Sequence, residues 1–210
     1  MTNSAPARRA TVEDRDAVVR TVCEAFVHDP AWAYLTDGNY DTVSPLFAGV
    51  LVDSRIHLGT IWVTDDCSAA ALWELRSVPD PNDDRDVLRD HIWPTYRQAV
   101  GESLWNRMRT YDDALHGHAE APSPPYWYLG VLATRPLMQG HGLAQAVLAP
   151  VFAIADRDGL DCWLETSNVG NLDFYLRRGF IDRVEVDVPE GPTTWWMRRP
   201  PSKASTTTQH

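Results

Sequence analysis

Apolar residues recur along this chain at two spacings, and their order predicts an α/β fold. Val18, Val19, Val22, Ala25 and Phe26 fall on one helical stripe. A short edge strand over residues 8–12 precedes that helix, and Asp29-Pro30 stops it. Residues 30–41 mix Trp32, Tyr34 and Tyr40 with turn formers, and a second helical run covers 43–58. Two strands follow, over 60–64 and 69–73, around the polar hairpin-length turn Asp65-Asp66-Cys67-Ser68. Residues 77–86 are rich in Pro and Asp and read as a surface loop. From 87 to 115 the pattern gives one or two helices carrying Trp93, Tyr96, Trp105, Met108 and Tyr111, with Pro94 expected to break or kink the run.

The remaining pattern is denser. A strand-like run from Tyr126 reaches Thr134-Arg135-Pro136, passes through Gln139-Gly140-His141-Gly142 and enters an Ala/Leu-rich helix beginning Leu143-Ala144. No Ser, Thr, Asp or Asn stands where a side-chain cap belongs. Glycines let backbone N–H groups approach a ligand, and a helix N-terminus favours negative charge, so an anion can complete this helix start. The stretch reads as a phosphate cradle. A dinucleotide fingerprint would need a third glycine at Gln145, and a P-loop would need Gly-Lys-Ser/Thr; neither is present. Pro150 should bend the helix and Gly159 end it; a strand at 162–165, a helix at 168–178 closed by Gly179, and strands at 181–188 and 193–199 complete the pattern.

Composition narrows the function classes. With 210 residues and 44 % apolar content, one α/β domain over 1–200 is expected, followed by a disordered Ser/Thr-rich tail at 201–210. A formal charge of −10 argues against nucleic acid as a partner, since neutralising a phosphate backbone needs a broad basic surface. No apolar run approaches the roughly 18 residues of a membrane span, so no membrane partner is expected. Cys23, Cys67 and Cys162 lie far apart without Cys-x-x-Cys spacing. That fits a cytoplasmic protein and suggests neither a disulfide framework nor a metal site. Asp65-Asp66 and His116-Gly117-His118 lack further ligands at metal spacing; they read as a solvated turn and an exposed loop.

The cradle sequence, Gln-x-x-Gly-x-Ala after a strand, resembles the acetyl-CoA loop of GNAT-superfamily N-acetyltransferases. Downstream, Leu164-Glu165-Thr166-Ser167, Asn171-Leu172-Asp173-Phe174-Tyr175, Arg178-Gly179-Phe180, Val188-Pro189-Glu190-Gly191-Pro192 and Thr194-Trp195 are similar to the C-terminal half of puromycin N-acetyltransferase and its actinobacterial relatives. The likeness extends weakly to Arg9-Ala10-Thr11 and Ala25-Phe26 and fades between Ser77 and Pro125. It implies the GNAT fold: a mixed sheet of about six to seven strands flanked by helices, with two parallel strands splayed apart. It also implies acetyl-CoA, or another acyl-CoA, as cosubstrate. Gln139, Gly140, His141, Gly142, Leu143 and Ala144 would hold its pyrophosphate. Backbone of Leu132, Ala133 and Thr134, together with Asn171, would hold its pantetheine arm. His141 stands where the family usually has Lys or Arg.

Acetyl transfer needs an acid near the departing sulfur and a proton acceptor near the amine. The resemblance implies Tyr175 as the acid, on the helical face it shares with Asn171 four residues earlier. Glu165 is the candidate base or amine-binding carboxylate; burial can raise its pKa into a useful range. Candidate acceptor contacts are Phe26, Asp29, Trp32, Tyr34 and Trp73. The divergent segment 77–125 is expected to close over the acceptor. The predicted acceptor is a small-molecule amine, an antibiotic or other natural product, and the Arg residues at 135, 177, 178 and 183 leave an acyl carrier protein possible as donor. A protein that only binds acyl-CoA is the alternative outside catalysis.

Overall fold

A computed structural model describes residues 6–77, 84–117 and 122–202, with backbone only for 84–90. Seven strands form one sheet in the order β1-β2-β3-β4-β5-β7-β6. These are β1 (Arg8–Arg9), β2 (Ile61–Val63), β3 (Ala69–Arg76), β4 (Tyr126–Thr134), β5 (Cys162–Thr166), β6 (Asp182–Asp187) and β7 (Thr193–Arg199). Every neighbouring pair is antiparallel except β4 and β5, which run parallel.

The helices are α1 (Arg15–Ala25), α2 (Pro30–Thr36), α3 (Tyr40–Ile56), α4 (Asp84–His116), α5 (Leu143–Asp158) and α6 (Leu172–Leu176). Val18 and Val22 are wholly buried under α1, as the stripe requires. Asp29-Pro30 does end α1, but the same pair opens α2: the Asp29 carboxylate accepts from the N–H groups of Ala31 and Trp32, and Pro30 occupies the first turn where no donor is needed. The expected turn over 30–41 is therefore mostly a capped helix. In α4 the break falls at Gly101, whose φ of 80° leaves the helical region, while Pro94 is accommodated within the helix. Residues 78–83 of the expected 77–86 loop lie outside the described residues, and the chain is helical again from Asp84. Residues 168–178 form a short 3-10 turn at Val169–Asn171 followed by α6 and Gly179 at φ 86°. Of the expected tail, 203–210 lie outside the described residues, and the Ser202 N–H is held by Asp156 at 2.8 Å.

The splay in the sheet has a local cause in β4. Its register against β3 runs Leu132 to Ala71, Val131 to Leu72 and then Leu129 to Trp73, so Gly130 is an extra, unpaired residue. A bulge rotates the strand and interrupts pairing. Before it, Trp127 and Leu129 join the core beneath α5; beyond it, Val131 and Ala133 join the core under α1 and α3. The parallel ladder to β5 ends at Leu129–Leu164, immediately before the bulge. Backbone of β4 from Gly130 to Thr134 is thus left without a partner on the β5 side.

Candidate functional site

The cradle forms where β4 meets α5. After a 3-10 turn at Pro136–Met138, Gly140 and Gly142 take φ of 81° and 78°, and Gly142 caps α5 without any side-chain acceptor. A Cβ built on either glycine meets nothing within 4 Å. The positive φ and the open space together leave the first N–H groups of α5 facing outward, the arrangement that suits a phosphate. Gln139 turns back to the Thr134 carbonyl at 3.3 Å. His141 is exposed, its Nδ1 2.9 Å from the Gln139 carbonyl, which fixes the proton on that nitrogen and commits the ring to the loop. Leu143 packs into the core and anchors the helix start, whereas Ala144 is only half-buried. These residues fit an anionic pyrophosphate, and the β5-side backbone of Leu132, Ala133 and Thr134 in β4 fits an amide-bearing arm laid beside the strand.

A cavity of about 700 Å³ opens on the other side of the parallel strands, between α2, α3, α4 and strands β3 to β5. One group of its wall residues is aromatic. Trp32 packs on Phe47 at 5.0 Å, Phe47 on Tyr96 at 5.9 Å, and Trp93 lies 6.3 Å from Trp105. The described part of the divergent segment, α4, supplies one wall through Trp93, Trp105 and Met108.

The second group is polar and interlinked. Buried Arg55 on α3 donates to Glu74 at 3.0 Å, to the Leu51 carbonyl and to Ser54. Gly130 makes this possible, because a Cβ there would lie 3.1 Å from the Arg55 guanidinium and 3.3 Å from the Tyr128 ring. Arg76 also reaches Glu74, at 3.1 Å, and sits 5.2 Å over the Tyr128 ring. The Tyr128 hydroxyl donates to Glu165 in a short hydrogen bond. Burial pushes the Glu165 carboxyl up to about 7, outweighing that bond and the positive groups nearby. Burial, then the Glu165 charge, hold Tyr128 well above an ordinary phenol.

His116 closes the wall. Sequence spacing suggests an exposed loop, but His116 is the last residue of α4, packed edge-on at 5.6 Å against Trp196. Its Nδ1 is held by the Asp112 carbonyl at 3.0 Å and carboxylate at 3.1 Å. Trp196, fully buried, in turn donates to the Leu115 carbonyl at 2.9 Å and ties the end of α4 to the sheet. His118 lies outside the described residues.

The predicted acceptor contacts divide. Trp32 lines the cavity and Phe26 packs on it at 4.9 Å. Asp29 spends its carboxylate on the α2 cap, and burial raises its pKa against those two N–H bonds. Tyr34 bonds the Pro189 carbonyl at 3.3 Å and carries Arg107 4.8 Å over its ring, away from the cavity wall. Trp73 is a correction: it is wholly buried on the opposite face of the sheet against Trp127 and Phe152, because the alternation of β3 puts it with Ala69 and Ala71 on the α5 side.

Tyr175 does not line this cavity. It is buried between Phe174 and Phe180, and burial, with the charges of Asp29 and Glu165, pushes its hydroxyl pKa up. The group stays protonated at any working pH and keeps a proton to donate. Half-buried Asn171 stands directly before α6, one turn from Tyr175. Spacing alone missed Tyr128, Arg55, Glu74 and His116. The pairing Tyr126-x-Tyr128 and the lone Gly130 within an apolar strand were the available signals. Among the described residues no cluster of three His, Cys, Asp or Glu side chains is placed to hold a metal. No described helix is long and apolar enough to cross a membrane.

Comparison with known proteins agrees with this geometry. Over 183 residues the chain is 24 % identical to an uncharacterized N-acetyltransferase of Schizosaccharomyces pombe, covering 83 % of this chain and 74 % of that protein. The fold is similar to a Corynebacterium glutamicum structure described as histone acetyltransferase HPA2 and related acetyltransferase. That match has a TM-score of 0.67 and 20 % identity, over 97 % of this chain and 99 % of the other. It is also similar to the Drosophila melanogaster polyamine N-acetyltransferase, with a TM-score of 0.61 and 12 % identity over 92 % and 98 % of the two chains. The seven-stranded sheet with its single parallel pair is the fold these structures share. Residues 70–180, from β3 through the cradle to Phe180, match the family model of the acetyltransferase (GNAT) family, and the chain belongs to that family.

Proposed function

We propose that this chain transfers an acetyl group from acetyl-CoA to the primary amine of a small aromatic molecule, an antibiotic or other natural product, in resistance or biosynthesis. The observation that carries this reading is Glu165: a carboxylate with a pKa near 7, held by Tyr128 at the wall of an aromatic-lined cavity of about 700 Å³. A base poised near neutral pH can take the proton from an ammonium group, and a cavity of this size suits a small molecule. The bare amine then attacks the thioester carbon, the C–S bond breaks as the Tyr175 hydroxyl gives its proton to the departing sulfur, and the proton that the nitrogen loses on becoming an amide returns to the tyrosinate. Likeness to puromycin N-acetyltransferase in the Leu164–Ser167 and Asn171–Tyr175 stretches supports the substrate class. So does the Drosophila neighbour, which is described as forming N-acetylagmatine. Three free cysteines suit a reducing compartment, and we place the reaction in the cytoplasm.

The test is release of free thiol from acetyl-CoA across a panel of amines, puromycin among them, with mass spectrometry of the products. Acetylated amine is the expected result. Tight CoA binding without turnover of any amine overturns the reading and shifts weight to another acyl group, to a carrier-protein donor, or to a protein that binds acyl-CoA without catalysis.

A further inference from the structure

Starting from an ammonium ion, each acetyl transfer yields amide, thiol and one surplus proton. Glu165 receives that proton in a buried position. Its Oε1 is engaged by Tyr128, and its Oε2 is buried with no hydrogen-bond partner among the described residues. A buried carboxylic acid must be emptied before the next turnover.

His116 stands beside it with complementary valence. Glu165 and Trp196 are cross-strand partners on one face of β5 and β7, and His116 packs on that same Trp196 ring, so the two groups meet over one indole. Both Nδ1 contacts of His116 are to oxygen acceptors of Asp112, so Nδ1 carries the hydrogen in the neutral ring. That leaves Nε2 a bare acceptor, and it too is buried without a partner. The two atoms make no direct hydrogen bond, and one water donating to both satisfies both. The far edge of His116 is the way out: its side chain is 32 % exposed and that of Asp112 is 62 % exposed, against the buried carboxyl of Glu165.

We propose that the Asp112–His116 pair is the proton exit of the site, a positioning and relay pair that returns Glu165 to its ionised form after each transfer. This rests on the reading of Glu165 as the base. The protonated Glu165 carboxyl passes its proton through that water to His116 Nε2, giving carboxylate and imidazolium. The imidazolium releases its Nδ1 proton to water beside Asp112; rotation of the ring about Cβ–Cγ then exposes the remaining Nε2 proton to solvent, where its loss and uptake of a proton at Nδ1 restore the starting tautomer. The charges facing the pair are Arg76, Tyr128 and Tyr111 around Glu165, and Arg76 and Arg109 around Asp112. Burial opposes the charged imidazole, but the hydrogen bonds and charge of Asp112 together with the Glu165 charge outweigh it.

Two measurements on the full chain test this. In NMR titration of 13C-histidine-labelled protein, Glu165→Gln should lower the His116 midpoint by about half a pH unit or more, since an anion beside the ring is lost. An unmoved midpoint overturns the juxtaposition. In turnover of the best amine from the panel, His116→Gln should lower kcat about 10- to 100-fold at pH 7 with the acceptor KM unchanged. Added imidazole should restore kcat in His116→Ala in proportion to its concentration. Wild-type kcat and pH profile in His116→Gln, while Glu165→Gln is inactive, removes the exit and leaves the base reading standing. Full turnover in Glu165→Gln removes both. A loss in both His116 variants that tracks melting temperature and ignores imidazole marks a structural residue and also overturns the proposal.

Discussion

Replacing Glu165 with Gln should make the protein more stable and less active, and the two effects should separate with pH. Burial raises the Glu165 carboxyl from an ordinary 4.5 to about 7. That difference is about 2.5 pH units, or about 3 kcal/mol at 1.36 kcal/mol per unit. The folded state holds the proton more tightly than the unfolded chain, so stability is greatest below pH 4.5 and declines as pH rises toward 7. Above about 7 both states are ionised and the full cost remains. Gln keeps an acceptor for Tyr128 but never ionises. Urea denaturation should therefore show the two proteins nearly equal near pH 5 and Glu165→Gln ahead by about 1–3 kcal/mol at pH 8.5, an upper range because unfolded chains retain structure. Over the same interval wild-type turnover should rise with a midpoint near 7, and Glu165→Gln should lose about 10²-fold or more. Equal stability of the two proteins at both pH values would show that the carboxylate is not desolvated, and the argument for a tuned base would fail with it.

Other outcomes follow from the geometry. Gly140→Ala should cost about 1 kcal/mol of stability for its positive φ, yet weaken CoA binding by calorimetry beyond that, since its Cβ points into space the protein itself leaves open. His141→Arg should tighten CoA binding about threefold at low salt, an advantage lost at 0.5 M salt. Tyr175→Phe should retain CoA affinity and folding while kcat falls about 10²-fold. Gly130→Ala should destabilise the protein by about 1–2 kcal/mol in urea denaturation and loosen Arg55, because the added methyl would sit 3.1 Å from a guanidinium fixed by Glu74.

The parts of the site that depend on backbone were legible along the chain. Gly140, Gly142 and the missing cap before Leu143 imply an outward row of N–H groups whatever surrounds them. The apolar periods likewise placed α1, α3 and α5 and all the strands to within a few residues. What spacing does not carry is the direction a strand side chain takes after an irregularity. One extra residue at Gly130 turned Tyr128 toward the cavity, and that shift is set by pairing with a strand distant in sequence, whereas Trp73 and Glu74 keep the plain alternation of β3. His116 escaped for a related reason. Its partner across the fold, Trp196, lies in the last strand, and nothing beside Gly117 announces a half-buried ring packed on it.

These misses concern one side of the sheet, and the asymmetry is physical. The cofactor half uses main-chain groups that any residue supplies, so glycine and cap positions are enough to mark it. The acceptor half uses side chains drawn from β3, β4, β5, α3 and α4, brought together by the bulge and by Trp196. Its candidate base is a carboxyl that burial favours in the protonated form. Arg55 and Arg76 both pair with Glu74, and the Arg76 charge lowers the Glu165 pKa only in part against its burial. Were either free to pair with Glu165, its pKa would drop into the ordinary range and the base would be too weak to take a proton from an ammonium ion. Glu74 thus acts at a distance as the group that keeps two arginines occupied. Glu74→Gln should release them, lower the midpoint of the pH–rate profile by about one unit, and leave CoA binding unchanged.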